Sequence, residues 1–423
     1  MKRFLKPLKY LALATVAMVA IVLVVNGVLN ARASGRLESR VAALHKAGQP
    51  VSLVDLARPE LRPKDNAATH LRQAQPDISS IQKDVSAALD AAPKADQDRF
   101  DEGQLSPALK SALHAAFAAH PQAVSQIEWA AACSGYAPPL DTSTDTATFH
   151  EAVMANSDEF RNVMRVLNYR ALLQLSDDDS PAALRTCLTM FSLCRLYDSQ
   201  PLLNSYLVSL ACRGLTLGTA NLVLRGNPLT DDKRGELDAE LARHETSEPF
   251  EHALATERSF GLQRYRELEH EIPGGSLVGL PWLKNDASGY CDLFAEAISL
   301  AGLPSAKSQP ALAESLAVAN AGPLAGLLVP ALQAVFEARC RVRAQLRTLR
   351  VLNALARHPE VANAATPDIA SLGMPADAIV DPFDGQKLRM KKLPAGWLVY
   401  SVGGNLKDDG GDIAEQADVG LGP

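Results

Sequence analysis

The chain has 423 residues, enough for two or three domains and a sizeable core, with 47% hydrophobic but only 5% aromatic residues. That composition, rich in Ala and Leu, favours helix over sheet. The formal net charge of -6 argues against a general nucleic-acid binder, so no nucleic-acid partner is expected.

Lys2, Arg3, Lys6 and Lys9 precede an uncharged run from Tyr10 to Ala31. That run is long enough to cross a bilayer core as a helix. A basic leader belongs on the cytoplasmic side, which places everything after Arg32 on the exported, periplasmic side of a single-pass protein. Ala31-Arg32-Ala33 also reads as the A-x-A site of a cleaved signal peptide. The run is longer than a typical signal core, which favours a retained anchor. Either way residues 1–33 stand apart and the body is exported. The run contains no GxxxG, so pairing through it has no support.

Residues 34–140 read as an N-terminal helical region. Ser34 to Lys46 is expected to form a short helix leaving the membrane, stopped by Gly48 and Pro50. "VSLVDL" opens a new segment, Pro59 to Asp65 breaks it, and Ser106 to Cys133 reads as helix interrupted near Pro121. "SGYAPPLDTSTDT" is a linker dense in turn formers.

Residues 141–330 form the most regular region. Phe149, Val153, Phe160, Val163, Leu167 and Leu175 keep an amphipathic helical spacing. After "SDDDSP", Ser180 is expected to cap a second helix with Pro181 at its first position. Leu184, Leu188, Phe191 and Cys194 mark its buried stripe. Gln200-Pro201 opens a third helix reaching about Leu224, Thr230 caps a fourth, and Ser247 with Pro249 opens a fifth. Short turns between antiparallel helices predict a helical-hairpin bundle or an α-solenoid. The stretch from Asn168 to Pro201 resembles one tetratricopeptide repeat, through Ala171, the turn at Asp178, Ala183-Leu184 and Pro201. The signature Trp and Gly of that repeat are absent, and a generic hairpin fits as well. "PGGSLVGLPWLKNDASGY" is expected to break the helices as an apolar loop, with Leu277, Val278, Leu280, Trp282 and Leu283. Such a loop is either the rim of a groove or a strap pinned over the core by Trp282.

Residues 331–423 start with a long helix from Pro330 to about His358. Arg339, Arg343, Arg347, Arg350 and Arg357 fall within one quadrant of it. Such a stripe suits a phosphate, an acidic polymer, lipid headgroups or a partner, or pairs internally with Glu257, Glu267, Glu269 and Glu271. "DPFDGQ" is a turn. Leu388 and Met390 alternate with charges as on a strand, and "WLVYSV" is a second strand after the loop "LPAG". A small β-hairpin packed on the long helix is expected, its edge guarded by Lys391 and Lys392.

A long helix, then Asp381-Pro382-Phe383 with Gly385, then a hairpin ending Tyr400-Ser401-Val402-Gly403 and a Gly/Asp loop resembles the C-terminal half of type II secretion major pseudopilins. The resemblance covers about Leu346 to Ile413. It implies an antiparallel sheet and an acidic loop that holds calcium. The family's Gly-Phe-x-x-x-Glu processing site is missing, and the acidic loop is shorter. The whole layout resembles singly anchored helical proteins of the bacterial envelope. Asp408, Asp409 and Asp412 set three carboxylates within a glycine-rich loop that suits calcium as a cofactor, the alternative being a solvated acidic tail that holds none.

No GxSxG, HExxH, P-loop or GxGxxG occurs. His244 and His252 are spaced too far along a helix to share a zinc ion. The six cysteines form no CxxC, and Cys187 and Cys194 lie about 10 Å apart on one helix face, so buried thiols are expected. The sequence therefore predicts a non-catalytic scaffold or binding protein, anchored through Tyr10 to Ala31 and serving a protein partner in the envelope. The alternative is a hydrolase assembled from distant residues such as Glu257, His270 and Asp292.

Overall fold

The computed structural model describes residues 5–100, 102–273, 275, 279–318, 322–364, 367–413, 415 and 417–423. The chain is 71% helical with one small antiparallel sheet near its C-terminus. Helix α1 (Leu5–Lys46) is a single unbroken rod. Its apolar part is long enough to cross a membrane, with mean hydropathy 2.2 and no burial in that window. The separate helix expected from Ser34 does not exist as such. No proline stands between Leu8 and Gln49, and the helix runs through Gly27 and Gly35, so the rod continues past the apolar run. Ala33 is fully buried within it.

Helices α2 (Ala67–Ala91), α3 (Lys94–Phe100), α4 (Pro107–Ala119) and α5 (Pro121–Ala131) form the N-terminal region. Their apolar faces, with Ile78, Ile81, Leu113 and Ile127, share a core with Val163 and Leu193 of α6 (Thr146–Ser176) and α7 (Ser180–Tyr197). The α7 cap lies one residue before the expected position. The Asp179 carboxylate accepts the Ala182 N–H at 2.9 Å, which makes Ser180 the first helical residue and Pro181 the second. Asp178, with φ 61°, supplies the left-handed turn that lets the chain reverse.

Helices α8 (Leu203–Arg225), α9 (Asp231–Ala242) and α10 (Glu248–Glu271) follow, with Thr230 capping α9 as expected. The break after α10 is shorter than the sequence suggested. Helix α11 (Pro281–Leu300) starts at the proline, because Pro at the first turn loses no hydrogen bond. Trp282 is therefore helical and 48% exposed rather than pinned over the core, while Leu283 is buried. Leu277 and Val278 lie outside the described residues.

Short helices α12 (Ser305–Val318) and α13 (Pro323–Leu327) lead to the long α14 (Val329–Arg357), followed by α15 (Pro359–Ala362). Helix α14 threads four cores, in one of which Cys340 and Ala344 meet Phe383, Val402 and Val419. Phe336 meets Phe250 and Phe294, Leu346 and Leu349 meet Leu217 and Leu237, and Val351 and Leu355 meet Val399 of the sheet. The sheet has β1 (Arg389–Leu393), β2 (Gly396–Ser401) and β3 (Val419–Leu421), antiparallel in that order. The expected hairpin is present, and β3 adds a strand that the sequence did not reveal. All six cysteines are free, and five are buried. Burial pushes the Cys187 thiol up to about 12.

Candidate functional site

The arginine stripe of α14 is mostly internal. Glu245, in the turn between α9 and α10, accepts from Arg343 Nε at 3.1 Å and from Arg347 Nη2 at 3.0 Å. Asp238 of α9 accepts from Arg350 Nε at 2.8 Å. Arg347 and Arg350 are each 4% exposed, so the Arg347–Glu245 pair is largely shielded from water, while the Asp238 carboxylate stays partly open to it. Arg357 is exposed at the helix end. The partners are thus Glu245 and Asp238. The expected Glu267 bonds instead to Thr146 and Arg264, Glu269 pairs with Lys284, and Glu271 with Arg264.

Arg339 differs from its neighbours. It is also 4% exposed, yet it forms no ion pair among the described residues. Its guanidinium lies 5.2 Å from the centroid of the Phe250 ring, and its Nη2 has no hydrogen-bond partner. Across from it, Arg213 of α8 gives Nη2 to Asp198 at 2.6 Å and leaves Nε without a partner. The His244 side chain is fully buried, and neither ring nitrogen has a partner. Its nearest carboxylate oxygen, on Glu240, is 3.6 Å away, beyond a hydrogen bond. Burial, then the Arg213 charge, hold the imidazole below its usual range, so it is neutral near pH 7.

These groups converge. Arg213, His244, Arg339 and Arg343 line one cavity of about 30 Å³ with Asp198, Tyr206 and Thr246. Four buried side-chain nitrogens that lack partners belong to it: Arg213 Nε, both His244 nitrogens and Arg339 Nη2. Such a buried donor costs about 1–3 kcal/mol when left unmade, more for a charged group. The neutral imidazole offers one N–H and one acceptor nitrogen, whereas the unpartnered guanidinium nitrogens of Arg213 and Arg339 are charged donors, and it is these that suit the cavity to an anion.

The cavity shares Asp198, Thr246 and Pro249 with a larger groove of about 650 Å³. Arg58, Arg195, Arg243 and His252 line that groove against Glu248. Arg58 gives Nη1 to Ser199 Oγ at 3.1 Å and to the Tyr136 carbonyl at 3.4 Å. Burial lowers its proton affinity, and it forms no ion pair among the described residues. The groove in turn shares Arg58, Pro59, Leu61 and Ala137 with a proline-rich cleft of about 330 Å³ between the Pro59–Pro63 segment and Pro138-Pro139. A basic entrance thus leads from a partly apolar cleft to the buried arginines.

The aspartates of the C-terminal loop do not converge. Asp408 accepts from the Tyr400 hydroxyl and the Gly410 N–H, Asp409 from Asn405, and Asp412 from the Glu415 N–H. Among the described residues no group of three His, Cys, Asp or Glu side chains is placed to hold a metal ion. The loop wraps a different carboxylate, the buried Asp418, which accepts the Gly411 N–H at 2.7 Å and the Asp412 N–H at 3.2 Å. The hydrolase trio is likewise dispersed. Glu257, raised by burial, accepts the Leu203 N–H at 2.9 Å, and Asp292 pairs with Arg40. His270 is exposed and lies about 20 Å from Glu257 along α10.

No family model matches the chain, and neither a curated protein nor a solved structure matches it.

Proposed function

We propose that the protein is a membrane-anchored binding protein whose exported helical body holds a small anion, or the anionic group of a larger ligand, among Arg213, His244, Arg339 and Arg343. The reading rests on Arg339, a buried guanidinium without a carboxylate partner, which lines the same cavity as Arg213 and, like it, has a buried side-chain nitrogen with no hydrogen-bond partner. Unpaired buried charge costs several kcal/mol, and a bound anion removes that cost. The basic groove outside would draw the ligand in, and the proline-rich cleft would contact its neutral part. An exported body agrees with the basic leader and the apolar first half of α1. The unbroken helix across Ala31 to Ala33, with Ala33 buried, supports a retained anchor.

Thermal unfolding of the full chain in detergent, in zwitterionic buffer with phosphate, sulfate or chloride added, tests the binding. At a hundredfold excess over Kd a bound anion adds about 2.7 kcal/mol. Arg339→Met should abolish the anion-dependent rise. It should also melt no lower than the wild type without anion, because an unpaired buried charge is replaced by an apolar side chain of similar length. A wild-type melting temperature indifferent to all three anions would defeat the reading.

A further inference from the structure

The anchor and the body are joined along a series of contacts, and that series fixes the height of the body above the membrane. Asn26 Nδ2 lies 3.5 Å from the Gly279 carbonyl oxygen. A Cβ at Gly279 would meet the Asn30 amide at 2.4 Å, and the φ there is +77°, so only glycine allows this approach. Lys284 Nζ donates to Ser34 Oγ at 3.0 Å, Arg36 Nη2 to Asn285 Oδ1 at 2.7 Å, and Arg40 makes two bonds to Asp292 at 2.7 and 2.6 Å. The partners advance together along α1 and α11, so the two helices run parallel. Gly279 is level with Asn26 to Asn30 and Lys284 with Ser34, so the first turn of α11 stands at about Asn30 to Ser34, where the apolar run ends. Only α1 itself joins span to body, with no flexible linker between them.

We propose that the membrane-proximal end of the body sits in the exported-side interface of the bilayer, inserting Trp282 with the apolar residues of α13 beside it. This rests on the reading that Tyr10 to Ala31 spans the membrane. A helix of that length just fills a hydrocarbon core of about 30 Å, which places Asn26 to Ala31 at its edge. Trp282 is 48% exposed there, and tryptophan favours the headgroup level. The Ala325 N–H lies 3.4 Å from Asp286 Oδ1, which brings α13 to the same end of α11. Its Leu327 is 74% exposed, and Leu324 and Leu328 are exposed as well. Arg32 and Arg36 are exposed at the level where lipid phosphates would lie. A bilayer is the occupant that the anchor itself delivers to this surface.

The test uses the full chain in phosphatidylcholine vesicles with Trp282 as sole tryptophan, through Trp129→Phe and Trp397→Phe. Trp397→Tyr serves if the phenylalanine variant loses its helical signal. Acyl chains brominated near the glycerol end should quench Trp282 by about twofold or more, and chains brominated near the methyl end should quench it less, as expected for an interfacial ring. A second variant with Val19→Trp as its sole tryptophan reports on the span and should be quenched most by the deeper bromines. If Val19→Trp is quenched but Trp282 is not and stays open to aqueous acrylamide, the inference fails while the span stands. If Trp282 resists both bromine and acrylamide, protein covers it, a second copy or a partner, and the inference fails equally. If Val19→Trp is unquenched by either lipid, the span reading fails and takes the inference with it.

Discussion

Arg213 and Asp198 form a buried pair, 2.6 Å apart, that lines an arginine-rich cavity and leaves the Arg213 Nε without a hydrogen-bond partner. Asp198 also accepts the Ser209 hydroxyl at 2.6 Å. Asp198→Ala should therefore cost about 3–5 kcal/mol, because it strands a buried guanidinium. Asp198→Leu combined with Arg213→Met should restore most of that loss, since an apolar pair of similar volume carries no desolvation cost. Denaturant unfolding of the three proteins checks this. Equal loss in the single and double variants would mean that volume, not charge, holds the site.

Stability should fall with acid through His244. Burial and the Arg213 charge hold its folded-state pKa below the unfolded value. The unfolded chain then takes up a proton, as pH drops below about 6.5, that the fold refuses. The contribution is complete above about pH 6.5 and is lost as pH falls toward the folded value, by up to about 1.4 kcal/mol per pH unit. His244→Gln should flatten that part of the profile. Parallel profiles for wild type and variant, measured by denaturant unfolding from neutral pH downward, would contradict it.

The C-terminal sheet should depend on one carboxylate. Asp381 is fully buried and accepts from Ser401 Oγ at 2.6 Å, the Phe383 N–H at 2.8 Å, the Val402 N–H at 3.0 Å and Arg389 Nη1 at 2.7 Å. Asp381→Ala should cost about 3–5 kcal/mol, as breaking a buried ion pair does. Ser401→Ala should cost about 1 kcal/mol. The two should couple by about 0.5–3 kcal/mol in a double-mutant cycle. Additive losses would show that the turn and the strand end act independently.

Much of this fold was legible, and the exceptions have physical causes. The stripe from Phe149 to Leu175, the Thr230 cap and the long helix after Pro330 follow from helical periodicity and capping chemistry. Helix α2 carried no clear signal, because Pro76 interrupts a segment rich in small and polar residues. Strand β3 is three residues with a central glycine, too short to show alternation. Pro281 reads as a breaker in sequence but stands where a helix tolerates it. The arginine spacing on α14 was visible, whereas its partners Glu245 and Asp238 come from α9 and the turn after it, which only folding brings near. The candidate site did leave one trace. Arg213 is the sole charged residue between Leu203 and Leu224, and a lone guanidinium in an apolar helix needs either a buried partner or a ligand.

Anion binding by the arginine cavity is tested most directly by calorimetric titration of phosphate and sulfate into the folded full chain. The wild type should bind one anion per chain with saturable heat. Arg357→Met, at the exposed end of the same stripe, should bind as the wild type does, whereas Arg339→Met and Arg213→Met should not bind. Heat that does not saturate in the folded wild type, or equal binding by all four proteins, would contradict an anion site at Arg213 and Arg339.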